Sequence, residues 1–189
     1  MKTLRSPLHL GQRVTDVYDP AHCSLYLPIH NGDFRDWAKS GLACTSSSIT
    51  WANTKWGQAP SFDGESSEVN CGQDASIDIA DKNTLFMLLQ FSSWKNNGVV
   101  WRKGSDSNNR IHLICNTSTK LELQIYNNSI QQVSIESDTI IINRPYEVII
   151  RVDETAQICE FYLDKKLQGE DTGFTLPDTS GEDLVLGAN

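Results

Sequence analysis

The sequence predicts an all-β fold, a β-sandwich or barrel. Three observations predict it. Short β-rich runs bounded by turn residues recur along the chain. No stretch carries a convincing helix-period pattern. The 189 residues fit one domain around one core.

The elements follow in order. Residues 14–17 suit a turn of helix or an edge segment. Residues 24–29 read as a strand, stopped by the turn pair Asn31-Gly32. Residues 67–70 and 76–79 read as short strands. Residues 85–91 form a nearly continuous apolar run, which predicts a central strand buried on both faces. Asn96-Asn97-Gly98 then turns the chain into residues 99–103, and the two runs read as a hairpin. A polar loop spans 104–109. Strands are predicted at 110–115, 121–126 and 131–135, joined by turn-rich segments. Residues 146–153 and 158–163 read as a second hairpin, and 184–186 as the last strand. The chain therefore divides into an N-terminal extension or edge segment, 1–21, and a sandwich domain, 22–189.

Composition narrows the function classes. Hydrophobic residues make up 39% of the chain, too many for a disordered one. The net charge is −8 and the pI near 4.9, which disfavours phosphate-led binding of nucleic acid and of anionic membrane surfaces. No run approaches the roughly 18 apolar residues of a spanning helix, so no membrane insertion is expected. The opening Met1-Lys2-Thr3-Leu4-Arg5 is basic but leads into no apolar stretch of signal-peptide length, which predicts synthesis in a cytoplasm. Cys23, Cys44, Cys71, Cys115 and Cys159 are odd in number, widely spaced and without a C-x-x-C pair. That pattern predicts buried free thiols rather than a disulfide framework or a zinc site. Asn116-Thr117-Ser118 and Asn127-Asn128-Ser129 match the glycosylation pattern and read as chance matches.

Four segments together resemble a known superfamily. Ser24-Leu25-Tyr26-Leu27-Pro28 follows Asp19-Pro20. Gly57-Gln58-Ala59-Pro60-Ser61-Phe62-Asp63-Gly64 leads into Ser67-Glu68-Val69. The run from Thr84 reaches Trp101-Arg102-Lys103-Gly104. Tyr146-Glu147-Val148 leads through Val152-Asp153 to Phe161-Tyr162-Leu163-Asp164. In order and spacing they resemble the laminin-G-like, concanavalin A-like jelly rolls over residues 22–187, and the resemblance implies a two-sheet antiparallel β-sandwich, a jelly roll. The opening is also similar to domains of phage structural proteins. The chain departs from the pattern in places. Lys165 stands where relatives carry Gly, so that turn is of another type or holds a non-glycine residue at positive φ. Leu88-Leu89 stand where relatives carry Trp. Relatives also continue beyond Asn189 with one more strand.

Such jelly rolls include glycosidases, which need two facing carboxylates. Along single strands no pair qualifies: Asp78, Glu122 and Glu160 stand alone, and Asp153-Glu154 lies at a hairpin end. His9, His22, His30 and His112 accompany no nucleophile elbow and no H-E-x-x-H, and read as solvated or satisfied. Calcium is the metal that the resemblance implies. Asp63 and Asp106 suit it by type, although Asp63-Gly64 is equally a turn signal. Among the tryptophans, Trp101 suits the core. Trp51 and Trp56 flank a polar loop, and Trp94 stands beside Asn96 and Asn97. A loop-borne Trp beside amides suits sugar stacking, and equally suits packing. The expectation is a non-catalytic module recognising a carbohydrate or a protein surface through Trp51, Trp56, Trp94, Asn96 and Asn97. The alternatives are a structural or assembly module of a virion or surface protein, expected to form a homo-oligomer, and a glycoside hydrolase.

Overall fold

The structure, a computed structural model, describes residues 42–54, 57–79, 82–104 and 108–187. The segment 1–21 and the strand expected at 24–29 lie outside them. Thirteen strands are described: β1 (Thr45–Ser47), β2 (Thr50–Thr54), β3 (Gly57–Ser61), β4 (Glu68–Asn70), β5 (Lys82–Gln90), β6 (Val99–Lys103), β7 (Arg110–Cys115), β8 (Lys120–Asn127), β9 (Ile130–Thr139), β10 (Pro145–Asp153), β11 (Ile158–Leu163), β12 (Lys166–Thr172) and β13 (Leu184–Gly187). A seven-stranded sheet runs β1-β4-β13-β6-β7-β8-β9, and a four-stranded sheet runs β12-β11-β10-β5. Strands β2 and β3 form a separate two-stranded ribbon.

Alternation explains the pairing of faces. On β8, Leu121, Leu123 and Ile125 are fully buried, while Glu122, Gln124 and Tyr126 between them face outward. On the facing sheet Val148 and Ile150 of β10 and Cys159, Phe161 and Leu163 of β11 point inward. These side chains, with Trp101, Ile111 and Leu113, make one core between the sheets. Lys103 enters that layer with no exposure. Its Nζ lies 2.9 Å from Asp78 Oδ1 and donates to the Glu182 carbonyl at 2.6 Å. Lys103 thus ties β6 to the segments carrying Asp78 and Glu182.

Four expectations are corrected. Residues 76–79 are not a strand; Ala75–Ile77 make a 3-10 turn, with Ile77 N–H donating to the Asp74 carbonyl at 3.0 Å. The run in β5 is not buried on both faces. Its exposure alternates strictly, and Phe86 and Leu88 are 42% and 40% exposed. Nor is β5 hairpinned with β6, because the turn at 91–98 carries the chain from one sheet to the other. Cys44 and Cys71 are joined in a disulfide beside the β1–β4 pair, whereas only proximity in the fold could reveal that pairing. Cys115 and Cys159 are buried free thiols as expected, and burial pushes both up to about 12. Cys23 lies outside the described residues.

Strand β12 was not foreseen. It pairs with β11 and packs beside β9, where a Cβ on Gly169 would lie 2.7 Å from Ile135 Cγ2. The turn before it carries Asp164 and Lys165 at φ 51° and 67°, the positive-φ alternative that the missing glycine implied. Asp164 steadies that turn by accepting from Glu147 N–H at 3.0 Å and from Arg144 at 2.5 Å.

Candidate functional site

The outer face of the seven-stranded sheet carries the most organised polar surface among the described residues. Register builds it. Arg102 of β6 lies opposite His112 of β7, His112 opposite Gln124 of β8, and Gln124 opposite Ser134 of β9. One step along, Arg110 lies opposite Tyr126.

The central row is a directed chain of hydrogen bonds. Gln124 Nε2 donates to Glu122 Oε1 at 2.6 Å, and Ser134 Oγ donates to the same oxygen at 2.9 Å. A carboxylate only accepts, so the Gln124 amide nitrogen faces Glu122 and its carbonyl faces His112. His112 Nε2, 2.7 Å away, is therefore the donor, which leaves Nδ1 as an acceptor. His112 is only 6% exposed. Its pKa falls to about 4, first because burial disfavours the charged ring and then because Arg110 and Arg102 repel it, despite the Gln124 hydrogen bond. The imidazole is neutral at neutral pH.

Tyr126 holds the neighbouring corner. The Arg110 guanidinium stacks 4.6 Å from its ring centroid, and the His112 ring meets it edge-on at 6.0 Å. Stacking fixes the guanidinium plane while leaving its in-plane N–H groups to face elsewhere. The loop entering Arg110 is fastened too. Asn128 N–H donates to Asn109 Oδ1 and Ser129 N–H to the Asn108 carbonyl, both at 3.0 Å. Gly104 allows that loop to close, since a Cβ there would lie 2.4 Å from the Asn109 carbonyl oxygen.

Those residues expected from sequence that are described lie elsewhere. Trp94 Nε1 donates to the Asn116 carbonyl at 2.9 Å, and its ring packs 5.3 Å from Phe91, so this side chain anchors its turn. Asn96 and Asn97 are exposed in that turn. Lys95 of the same turn reaches Glu65 at 2.6 Å, which brings the Asp63 loop alongside. Asp63 Oδ1 accepts from the backbone of Glu65, Ser66 and Ser67, and Oδ2 accepts from Ser66 Oγ. Those donors, Glu65 first, hold its carboxyl well below the usual carboxylate range. Asp63 therefore braces its own turn. Trp51 sits on the β2–β3 ribbon opposite Pro60. Trp56 and Asp106 lie outside the described residues.

Two further features bear on chemistry. Glu122 lies opposite Glu136, a cross-strand carboxylate pair invisible along single strands. Both are engaged: Glu122 as above, and Glu136 with Lys120 and Asn116 at 2.8 Å each. The four-stranded sheet bears a depression of about 270 Å³ lined by Lys82, Arg151, Asp153, Glu160 and Glu170 among others. Its charges largely satisfy each other, Lys82 with Asp153 at 3.0 Å and Arg151 with Glu160 at 2.8 Å.

No family model and no curated protein matches the sequence. Solved structures match the fold. The binding domain of botulinum neurotoxin serotype D is similar with a TM-score of 0.71 at 12% identity, over 89% of this chain and 43% of that one. Domain 4 of AbnA, a GH43 extracellular arabinanase from Geobacillus stearothermophilus in complex with arabinotriose, gives 0.63 at 15%, over 84% and 80%. The CBM40 of a Ruminococcus gnavus IT-sialidase, bound to α2,6-sialyllactose, gives 0.51 at 12%, over 62% and 74%. The shared fold is a β-sandwich. At these identities the likeness is one of architecture, and the chain spans less than half of the neurotoxin domain.

Arg102, Arg110, His112, Gln124 and Tyr126 were not foreseen as a group. A signal existed in the i, i+2 spacing of Arg110 with His112 and of Glu122, Gln124 and Tyr126, which places each set on one strand face.

Proposed function

We propose that the chain is a non-catalytic carbohydrate-recognition module, a jelly roll of the laminin-G-like, concanavalin A-like type. It reads its ligand on the outer face of the seven-stranded sheet. The row from His112 through Gln124 to Glu122 and Ser134 carries this reading. It offers oriented hydrogen-bonding groups, neutral except for the Glu122 carboxylate, beside an aromatic ring, the chemistry that hydroxyl-rich ligands need. The fold likeness to carbohydrate-binding modules supports it. The engagement of Glu122 and Glu136 supports recognition over hydrolysis. The Cys44–Cys71 disulfide supports a setting more oxidising than a cytoplasm, such as a cell or virion surface.

A glycan array tests the reading, run with calcium and again with chelator. Specific binding that is lost in a folded Tyr126→Ala variant supports it. A blank array refutes it and favours the second reading, an assembly module. One observation recommends that alternative: Phe86, Leu88 and Leu167 are each at least 40% exposed on the four-stranded sheet. Sedimentation over a concentration series would then show a homo-oligomer.

A further inference from the structure

The described residues include four arginines, and two of them lack an anionic partner. Arg144 pairs with Asp164 and Arg151 with Glu160. Arg102 and Arg110 make no ion pair among the described residues, and the Nε of each is buried without a hydrogen-bond acceptor. Both stand on the candidate face. Arg102 lies across from His112, and Arg110 precedes His112 by two residues on the same strand. Diagonal neighbours of this kind are about 7–8 Å apart, so the two cations repel.

No ion pair within the described residues neutralises either. His112 is neutral, and the Glu122 carboxylate, which keeps its charge, is held by Gln124 and Ser134 rather than by an arginine. The chain has 24 acidic residues against 16 basic, yet among the described residues no carboxylate forms an ion pair with these arginines. Arg110 is also pre-oriented by Tyr126. Two guanidinium forks at diagonal positions on one sheet face are the complement of an oxyanion. A polyanion such as nucleic acid is disfavoured by the net charge of −8. A single oxyanion beside a hydroxyl-reading row is not.

We infer that the ligand is an acidic glycan whose carboxylate or sulfate is held jointly by Arg102 and Arg110. This rests on the carbohydrate reading above. The Arg side chains bind the charged group, and the His112–Gln124–Glu122 row binds neighbouring hydroxyls.

Matched glycan pairs test it. Uronate oligosaccharides are compared with their carboxyl-reduced forms, sialyllactose with lactose, and sulfated with unsulfated galactosides. The wild type should prefer at least one acidic member by tenfold or more. The pairs that respond identify carboxylate or sulfate as the source. Arg102→Gln and Arg110→Gln should each reduce the preference at least fivefold, with Arg102→Lys less severe. Arg144→Gln, away from the face, should leave it unchanged. Melting temperatures confirm that each variant is folded. Equal affinity within every pair, still sensitive to Tyr126→Ala, overturns the inference and leaves the carbohydrate reading standing. A preference that survives both arginine variants overturns it too. Binding to no glycan overturns both.

Discussion

His112→Gln should remove a pH dependence of stability that the wild type carries. The side chain is buried among Arg102, Arg110, Gln124 and Tyr126, and its pKa falls from 6.5 to about 4, through burial first and the two arginines next. Between those values the unfolded chain binds a proton that the folded chain refuses. Stability therefore rises with pH across the window and is lost as pH falls from about 6.5 towards 4. Above the window His112 is neutral in both states and contributes no pH dependence. The full difference corresponds to about 3 kcal/mol. Urea unfolding at pH 7.5, 6, 5 and 4, followed by tryptophan fluorescence, measures it. The wild type should lose about 3 kcal/mol relative to His112→Gln from the top of that range to the bottom. Glutamine can still donate to the Gln124 carbonyl, so the variant isolates the proton. Parallel curves would refute the reasoning, because they would mean that His112 takes up its proton as readily folded as unfolded.

Two further outcomes follow from the fold. Asp78→Ala leaves the Lys103 ammonium, which has no exposure, without its carboxylate; the loss should be about 3–5 kcal/mol, read as a melting temperature lower by roughly 10 °C or more. Replacing both residues, Lys103→Met with Asp78→Leu, should recover most of it, since a buried ion pair is costly chiefly when broken. Cys44→Ser opens a cross-link over 27 residues, and the chain-entropy relation gives roughly 3–4 kcal/mol for a loop of that size. Alkylation of the unreduced, denatured chain followed by peptide mass mapping should label Cys115 and Cys159 and leave Cys44 and Cys71 unmodified.

The fold class was legible because the alternation in β8, β10 and β11 is nearly strict, and apolar period-2 runs have few other uses. The reading failed where local pattern and tertiary context disagree. The β5 run looks doubly buried, yet Phe86 and Leu88 face outward because their neighbours Leu85, Met87 and Leu89 already supply the core side. Strand β12 is polar and carries Gly169, so it lacks a strand signal; contact with Ile135 on β9 imposes that glycine. The candidate site was hidden for a related reason. Arg102, His112, Gln124 and Ser134 are about ten residues apart, and only the pairing register of four strands brings them into one row. The same holds for Glu122 with Glu136, and for Cys44 with Cys71, whose spacing carries no pairing information. Trp94 shows what local sequence leaves out. A loop tryptophan beside amides resembles a sugar platform, and the fold adds that its N–H and ring also hold the turn.

The most direct test of the account is to map where a glycan binds. Backbone amide shifts of the isotope-labelled protein would be followed during titration with the best acidic oligosaccharide from the paired set. The account predicts that the largest changes fall on β6, β7 and β8, at Arg102, Arg110, His112, Gln124 and Tyr126, and that they disappear in the Arg102→Gln, Arg110→Gln double variant. Changes centred on the Trp51 ribbon, the Trp94 turn or the four-stranded sheet would contradict it.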